Sequence, residues 1–127
     1  MIFMKNTILI VEDESITALD LKFTLEELGY NVIDITDNGQ DAINIAAETS
    51  PDLTIMDINL KGEMNGIEAA KKLSELNLPV IFLTAYTDED TFNKIINDLS
   101  VYGFISKPFN KKTMGMSIDF AIKRAKI

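Results

Sequence analysis

The chain has 127 residues, of which 46% are hydrophobic and 25% charged, as in a single globular domain with a hydrophobic core. It has no Cys and no His, which excludes disulfides, thiolate metal sites and catalysis by Ser-His or Cys-His pairs. Its formal net charge of −8 disfavours direct nucleic-acid binding and favours divalent cations and basic partner surfaces, although an acidic surface also serves solubility alone. No apolar run is long enough for a membrane span or a signal peptide.

Strand-like and helix-like segments alternate along the chain. Short apolar runs predict strands over residues 7–11, 31–35, 53–57, 80–83 and 102–106. Apolar residues at helical spacing predict helices over residues 15–28, 40–48, 67–76, 88–99 and 110–126. Gly29 is a C-cap signal and Asn110 fits an N-cap. This alternation is typical of right-handed βαβ crossovers, so we expect a parallel sheet with helices on both faces. One domain over residues 1–127 is expected, with no linker, repeat or output domain.

The last predicted helix carries more apolar side chains than one buried face requires. Its buried stripe is expected to consist of Met114, Ile118, Ala121, Ile122 and Ala125. Met116 and Phe120 lie off that stripe. They indicate either a partner or dimer surface or ordinary scattered exposure, and the two interpretations are equally good.

The central feature is the third predicted strand, Leu-Thr-Ile-Met-Asp, which is apolar, β-favouring and ends on the carboxylate of Asp57. Such a run is typical of a central parallel strand covered on both faces by helices. In open α/β sheets, ligands bind just outside the carboxyl ends of the strands. We therefore expect Asp57 to lie at the reacting edge of the sheet.

Further polar residues follow the other strands at the same predicted edge: Glu12 and Asp13, then Thr84, then Lys107. Two carboxylates about 4 Å apart repel by roughly 4 kcal/mol at an effective dielectric near 20, so Lys107 and a divalent cation are needed. All-oxygen ligation favours Mg²⁺ or Mn²⁺. This set suits phosphoryl transfer, with Asp57 as nucleophile and Thr84 donating to a phosphoryl oxygen. Taken singly, each residue also fits an ordinary cap, turn or surface role.

The segments VEDE, MDINL, LTAY and GFISKPF resemble the response-regulator receiver family in order, spacing and strand placement, from about Thr7 to Lys126. The resemblance implies a flavodoxin-like domain with strand order 2-1-3-4-5. It implies two-component phosphorelay signalling in the cytoplasm, with a phosphoryl group taken from a sensor histidine kinase or a histidine phosphotransfer protein. Activity is then limited to self-phosphotransfer and autodephosphorylation, which switch the surface of the fourth helix, fifth strand and fifth helix.

The resemblance also implies a role for each residue at the metal. Asp57 is the phosphoacceptor and a metal ligand, and Asp13 is a direct ligand. Glu12, where many members have Asp, contributes through water. The main-chain carbonyl of Asn59 completes the protein ligands.

The phosphate-binding and switching residues follow from the same resemblance. Thr84 is the switch hydroxyl, and Lys107 is the phosphate-binding lysine before an expected cis bond to Pro108. Phe104, three residues before Lys107, takes the place of the aromatic that turns inward when Thr84 moves. Tyr102 is nearby but has a different place in the motif.

The loop after Asp57 departs from the family pattern. It contains Lys61 and Gly62, where a shorter loop with Pro is common. This resembles receivers joined to sensor and kinase modules, so the expected partners are a downstream protein target or such fused modules. A homodimer through the fourth and fifth predicted helices, residues 88–99 and 110–126, is a further expectation. No direct nucleic-acid or membrane partner is expected.

Two other functions remain as alternatives. One is a pseudo-receiver that binds partners without being phosphorylated. The other is an aspartate-nucleophile phosphatase of the haloacid-dehalogenase type, which needs an Asp-x-Asp pair after the first strand. That position reads Val-Glu-Asp-Glu-Ser here, and there is no room for a substrate cap, so the phosphatase is disfavoured. A flavin-binding flavodoxin is excluded because the three acidic residues would repel the cofactor phosphate.

Overall fold

The computed structural model describes residues 5–85, 89, 90, 93 and 102–126. Its strands form one parallel sheet in the order β2-β1-β3-β4-β5, which confirms the predicted order. The strands are β1 Thr7–Val11, β2 Asn31–Thr36, β3 Leu53–Asp57, β4 Val80–Thr84 and β5 Phe104–Ser106. β5 is shorter than the predicted 102–106, because Gly103 has a φ of +147° and interrupts the extended backbone. Tyr102 still donates a main-chain hydrogen bond to Val80.

The described helices are α1 Ser15–Glu27, α2 Gly39–Thr49, α3 Gly66–Glu75 and α4 Lys111–Ala125. α2, α3 and α4 each begin after an asparagine, Asn38, Asn65 and Asn110, whose side chain accepts a hydrogen bond from an amide of the first turn. Of the helix predicted over 88–99, residues 89, 90 and 93 are described and helical, and the rest lies outside the described residues. None of the helices described combines the length and apolar character needed to cross a membrane.

Two apolar layers hold the helices against the sheet. Successive residues of β1 point to opposite faces, so Ile8 and Ile10 meet α1 and α4, whereas Leu9 and Val11 meet α2 and α3. Burying each such side chain stabilises the fold by about 1.5–3 kcal/mol. Helices on both faces are thereby confirmed, and β3 is buried along its whole length.

The sheet register brings the carboxyl ends of the strands together. Val11 of β1 pairs with Met56 of β3, and Asp57 pairs with Leu83 of β4. Thr84 pairs with Ser106 of β5, and the carbonyl of Thr84 accepts a hydrogen bond from the amide of Lys107 at 2.7 Å. The segments after β1, β3 and β5 therefore lie at one edge.

α4 buries Met114, Ile118, Ala121 and Ile122 against the sheet, and Ala125 is half-buried. Met116 and Phe120 are 65% and 66% exposed on its other face. Their exposure fits both interpretations, a partner surface and scattered exposure, and a partner for them remains a prediction.

Candidate functional site

Three carboxylates lie together at the carboxyl edge of the sheet. One oxygen from each of Glu12, Asp13 and Asp57 lies within 4.8 Å of the other two. Glu12 and Asp57 are 2% and 4% exposed, and Asp13 is half-buried. The repulsion expected from the sequence is therefore concentrated at a site with little access to bulk water.

Main-chain amides orient each carboxylate of this cluster. The amide of Glu14 donates to Glu12 Oε1 at 3.1 Å, and the amide of Asn59 donates to Asp57 Oδ1 at 3.0 Å. The amide of Lys61 donates to Asp13 Oδ2 at 3.3 Å. The loops after β1 and β3 thus fix one oxygen of each acid, and each acid keeps a second oxygen for another ligand.

Lys107 brings a positive charge into the cluster from the loop after β5. Its Nζ lies 3.1 Å from Glu12 Oε2, 3.6 Å from Asp57 Oδ2 and 3.7 Å from Glu14 Oε1. Partial burial alone would lower the pKa of Lys107, but the contact with Glu12 and the charges of Asp57 and Glu14 outweigh it and raise that pKa. The ammonium stays charged and is shared among these carboxylates.

Burial raises the pKa of Glu12 to about 7, and the charge of Asp57 acts in the same direction. The amide of Glu14 and the ammonium of Lys107 act in the opposite direction. Apart from the ion pair with Lys107, the buried Oε2 atom of Glu12 has no hydrogen-bond partner among the described residues. One ammonium does not satisfy three carboxylates, and an all-oxygen donor set of this kind fits a hard divalent cation such as Mg²⁺.

The structure places the other sequence-predicted site residues as follows. Thr84 ends β4 and is half-buried, and Asn59, two residues after the end of β3, is exposed. Phe104 begins β5 with 37% of its surface exposed. The peptide bond between Lys107 and Pro108 is cis.

The sequence analysis missed Gly66, the first residue of α3. Its amide donates to the carbonyl of Ile58 at 3.2 Å, and a Cβ at this position would overlap the carbonyl oxygen of Asp57. Only a glycine lets α3 begin this close to the end of β3. A glycine directly after the N-cap Asn65 is the signal that was available in the sequence.

The sequence analysis also missed an exposed apolar face of α1, consisting of Ile16, Leu19 and Phe23. These side chains are 85%, 50% and 64% exposed. The helical pattern predicted the opposite stripe of Ala18, Leu21, Leu25 and Leu28, and gave no reason to examine the outer face. The first three of these are buried and Leu28 is half-buried. A cavity of about 230 Å³ joins this face to the site, lined by Ile16, Thr17, Asp20, Lys107, Pro108 and Phe109.

Known proteins with a similar sequence identify the family of this chain. The family model of the response regulator receiver domain matches residues 8–119. The transcriptional regulatory protein PdtaR of Mycobacterium tuberculosis is 31% identical over 118 residues, which cover 92% of this chain and 57% of that protein. The aerobic respiration control protein ArcA of Escherichia coli is 40% identical over 109 residues, covering 84% of this chain and 44% of that protein. The chain thus spans about half the length of these curated relatives.

Solved structures give the same result for the fold. The signal receiver domain of a modulated diguanylate cyclase from Desulfovibrio desulfuricans G20 is 37% identical, with a TM-score of 0.89 and coverage of 97% of this chain and 98% of that chain. The N-terminal domain of a response regulator/sensory box/GGDEF protein from Carboxydothermus hydrogenoformans is 31% identical, with a TM-score of 0.85 and coverage of 95% and 97%. The chain therefore belongs to the response-regulator receiver family of two-component signalling.

Proposed function

We propose that this chain, as a single receiver domain in the cytoplasm, is a switch controlled by phosphorylation of Asp57. The observation that carries the proposal is the arrangement around Asp57. A nearly buried carboxylate lies within 4.8 Å of two further acids, and a lysine ammonium lies 3.6 Å from its Oδ2 atom. Such a site combines a nucleophile with the positive charge needed to neutralise an incoming phosphoryl group.

The metal ligands we propose are Asp13 and Asp57 directly, Glu12 through water and the main-chain carbonyl of Asn59. Three carboxylates with main-chain amides on one oxygen each support this assignment. A bound Mg²⁺ or Mn²⁺ supplies charge neutralisation for the phosphoryl oxygens.

The phosphoryl donor is a histidine kinase or histidine phosphotransfer protein. A carboxylate oxygen of Asp57 attacks phosphorus, the bond between phosphorus and the donor imidazole breaks, and its electron pair stays on the imidazole nitrogen. Lys107 neutralises one phosphoryl oxygen, and the hydroxyl of Thr84 donates to another. Water later cleaves the acyl phosphate and restores Asp57, so the chain is a regulator and not an enzyme acting on other substrates.

We place the donor on the exposed apolar face of α1. The donor histidine must approach Asp57 closely, and Ile16 shares a cavity with Lys107 at the mouth of the site. With Leu19 and Phe23 it provides apolar surface for a partner helix beside the reacting atoms. Phe23→Ala should therefore slow transfer from the cognate kinase while leaving transfer from acetyl phosphate unchanged.

Phe120→Ala is the matched control for this test. Phe120 is as exposed as Phe23 but lies on α4. The α1 placement is wrong if both variants slow the kinase reaction equally, or if Phe23→Ala also slows the reaction with acetyl phosphate.

The output surface that we propose consists of the helix predicted over 88–99, β5 and α4. A groove of about 440 Å³ on this side is lined by Tyr102, Gly103, Phe104, Met116, Ser117 and Phe120. Movement of Phe104 in step with Thr84 would change its shape. A downstream protein, a fused module or a second copy of the chain would read that change.

The experiment that tests phosphorylation is intact-mass measurement after incubation with acetyl phosphate, with Mg²⁺ or with chelator. A Mg²⁺-dependent gain of one phosphoryl group is expected in the wild type and in Asp34→Asn, which removes an exposed acid from β2. Asp57→Asn should show no gain. If folded wild type gains no phosphoryl group from acetyl phosphate or from histidine kinases, the pseudo-receiver alternative replaces the proposal.

A further inference from the structure

Among the described residues, Glu14 is the member of the three carboxylates paired with Lys107 that the proposed chemistry does not use. Its Oε1 atom lies 3.7 Å from the ammonium, but Glu14 is absent from the group of acids that could hold a metal, as far as the described residues show. It occupies the N-cap position of α1, yet its side chain makes no capping hydrogen bond. The Glu14 side chain is 65% exposed, so the ion pair adds little to stability.

Lys107 has to change its contacts when Asp57 is phosphorylated. In the unphosphorylated chain its ammonium lies near Glu12, Asp57 and Glu14. When a phosphoryl group arrives, the ammonium is needed at a phosphoryl oxygen. A carboxylate that holds Lys107 from the outer side raises the cost of that movement and also adds negative charge at the mouth of the site.

We propose that Glu14 is a positioning residue that shares Lys107 with Glu12 and Asp57 in the unphosphorylated chain and so slows phosphoryl uptake on Asp57. The inference rests on the proposed function, since it assigns a rate-setting role within that site. The Glu14 side chain is long enough to bring its carboxylate to 3.7 Å from the Lys107 ammonium.

The length of the side chain provides the test. Glu14→Gln removes the charge, whereas Glu14→Asp keeps the charge but shortens the side chain by one methylene and withdraws it from Lys107. Neither substitution removes a cap, because the Glu14 side chain makes no capping hydrogen bond and Asp is favoured at an N-cap position. Asp37→Asn is the matched control: it removes an exposed acid that lines a cavity together with Glu12 and Asp13, and none of the ion pairs described joins it to Lys107.

The first readout is the rate of phosphorylation by acetyl phosphate with Mg²⁺, followed by intact mass. Glu14→Gln and Glu14→Asp should both react about three- to fivefold faster than wild type, equivalent to about 0.6–1 kcal/mol, as for an exposed ion pair. Asp37→Asn should react at the wild-type rate. An unchanged rate in Glu14→Gln overturns the proposal. So does a wild-type rate in Glu14→Asp, since general charge repulsion and not contact with Lys107 would then set the rate.

The second readout does not depend on phosphorylation. The ¹⁵Nζ resonance of Lys107 should shift in both Glu14 variants and stay in place in Asp37→Asn. If wild type takes up no phosphoryl group, the proposed function fails, but this resonance still reports whether Glu14 holds Lys107. An unshifted resonance in both Glu14 variants overturns the inference on its own.

Discussion

Removing the charge of Asp57 should stabilise the metal-free protein, although this residue is the proposed phosphoacceptor. Asp57→Asn keeps the oxygen that accepts from the amide of Asn59 and removes the negative charge from a site where Asp57 is only 4% exposed. Substitution of a buried residue normally destabilises, by about 1 kcal/mol on average. A gain in stability is expected here because the fold holds three negatively charged carboxylates close together.

The magnitude follows from the distances. Repulsion from Glu12 and from Asp13, each within 4.8 Å, is about 0.9 to 3.5 kcal/mol per pair for effective dielectric constants of about 80 to 20. The attraction to Lys107 at 3.6 Å is about 1.2 to 4.6 kcal/mol over the same range. The two repulsions exceed the attraction by about 0.6 to 2.4 kcal/mol. Since Asp13 is half-buried and partly screened, we expect a gain of about 1 kcal/mol.

Thermal unfolding followed by circular dichroism measures this gain. In chelator at about pH 8, where Glu12 is ionised, Asp57→Asn should melt about 4 °C above wild type, the shift expected for 1 kcal/mol in a chain of this size. Millimolar Mg²⁺ should raise the melting temperature of wild type more than that of the variant, because the variant loses a ligand. Asp34→Asn controls for a change of net charge away from the cluster. A metal-free Asp57→Asn that melts below wild type would refute the electrostatic reasoning.

Three further predictions concern single residues. Thr54→Val should be neutral or stabilise by about 1 kcal/mol in urea unfolding, because the buried hydroxyl has no hydrogen-bond partner among the described residues; a loss of that size would reveal a partner. Gly66→Ala should destabilise by about 2–3 kcal/mol, since its Cβ would displace the end of β3, and a loss below about 1 kcal/mol would contradict the contact. Glu12 has a raised pKa of about 7 in the folded chain and a usual value of 4.5, so its protonation favours folding. Metal-free stability should thus fall by about 3 kcal/mol as pH rises through this interval, and Glu12→Gln should remove that fall.

The sequence was sufficient to predict the architecture and the edge at which the site lies. Strands β1 and β3 have the predicted bounds, because each is a short apolar run with polar residues on both sides. Asn110 caps α4 as predicted, since its amide side chain favours that position over helix interior. Parallel strands have their carboxyl ends at one edge, so the acids after β1 and β3 and the lysine after β5 were expected to meet.

Only the tertiary structure decided which of these groups touch. The contact between Glu14 and Lys107 joins residues 93 positions apart in the chain. It depends on the direction in which α1 begins after the end of β1. Gly66 is required by the close approach of α3 to the carbonyl of Asp57, and its place after Asn65 in the sequence does not show that contact. The exposure of Phe23 depends on which face of α1 the sheet covers, because apolar residues occur on both faces. Local pattern predicts the secondary structure and the parallel sheet, and the family resemblance implies the strand order, whereas contacts between side chains depend on the angles and distances at which the finished elements pack.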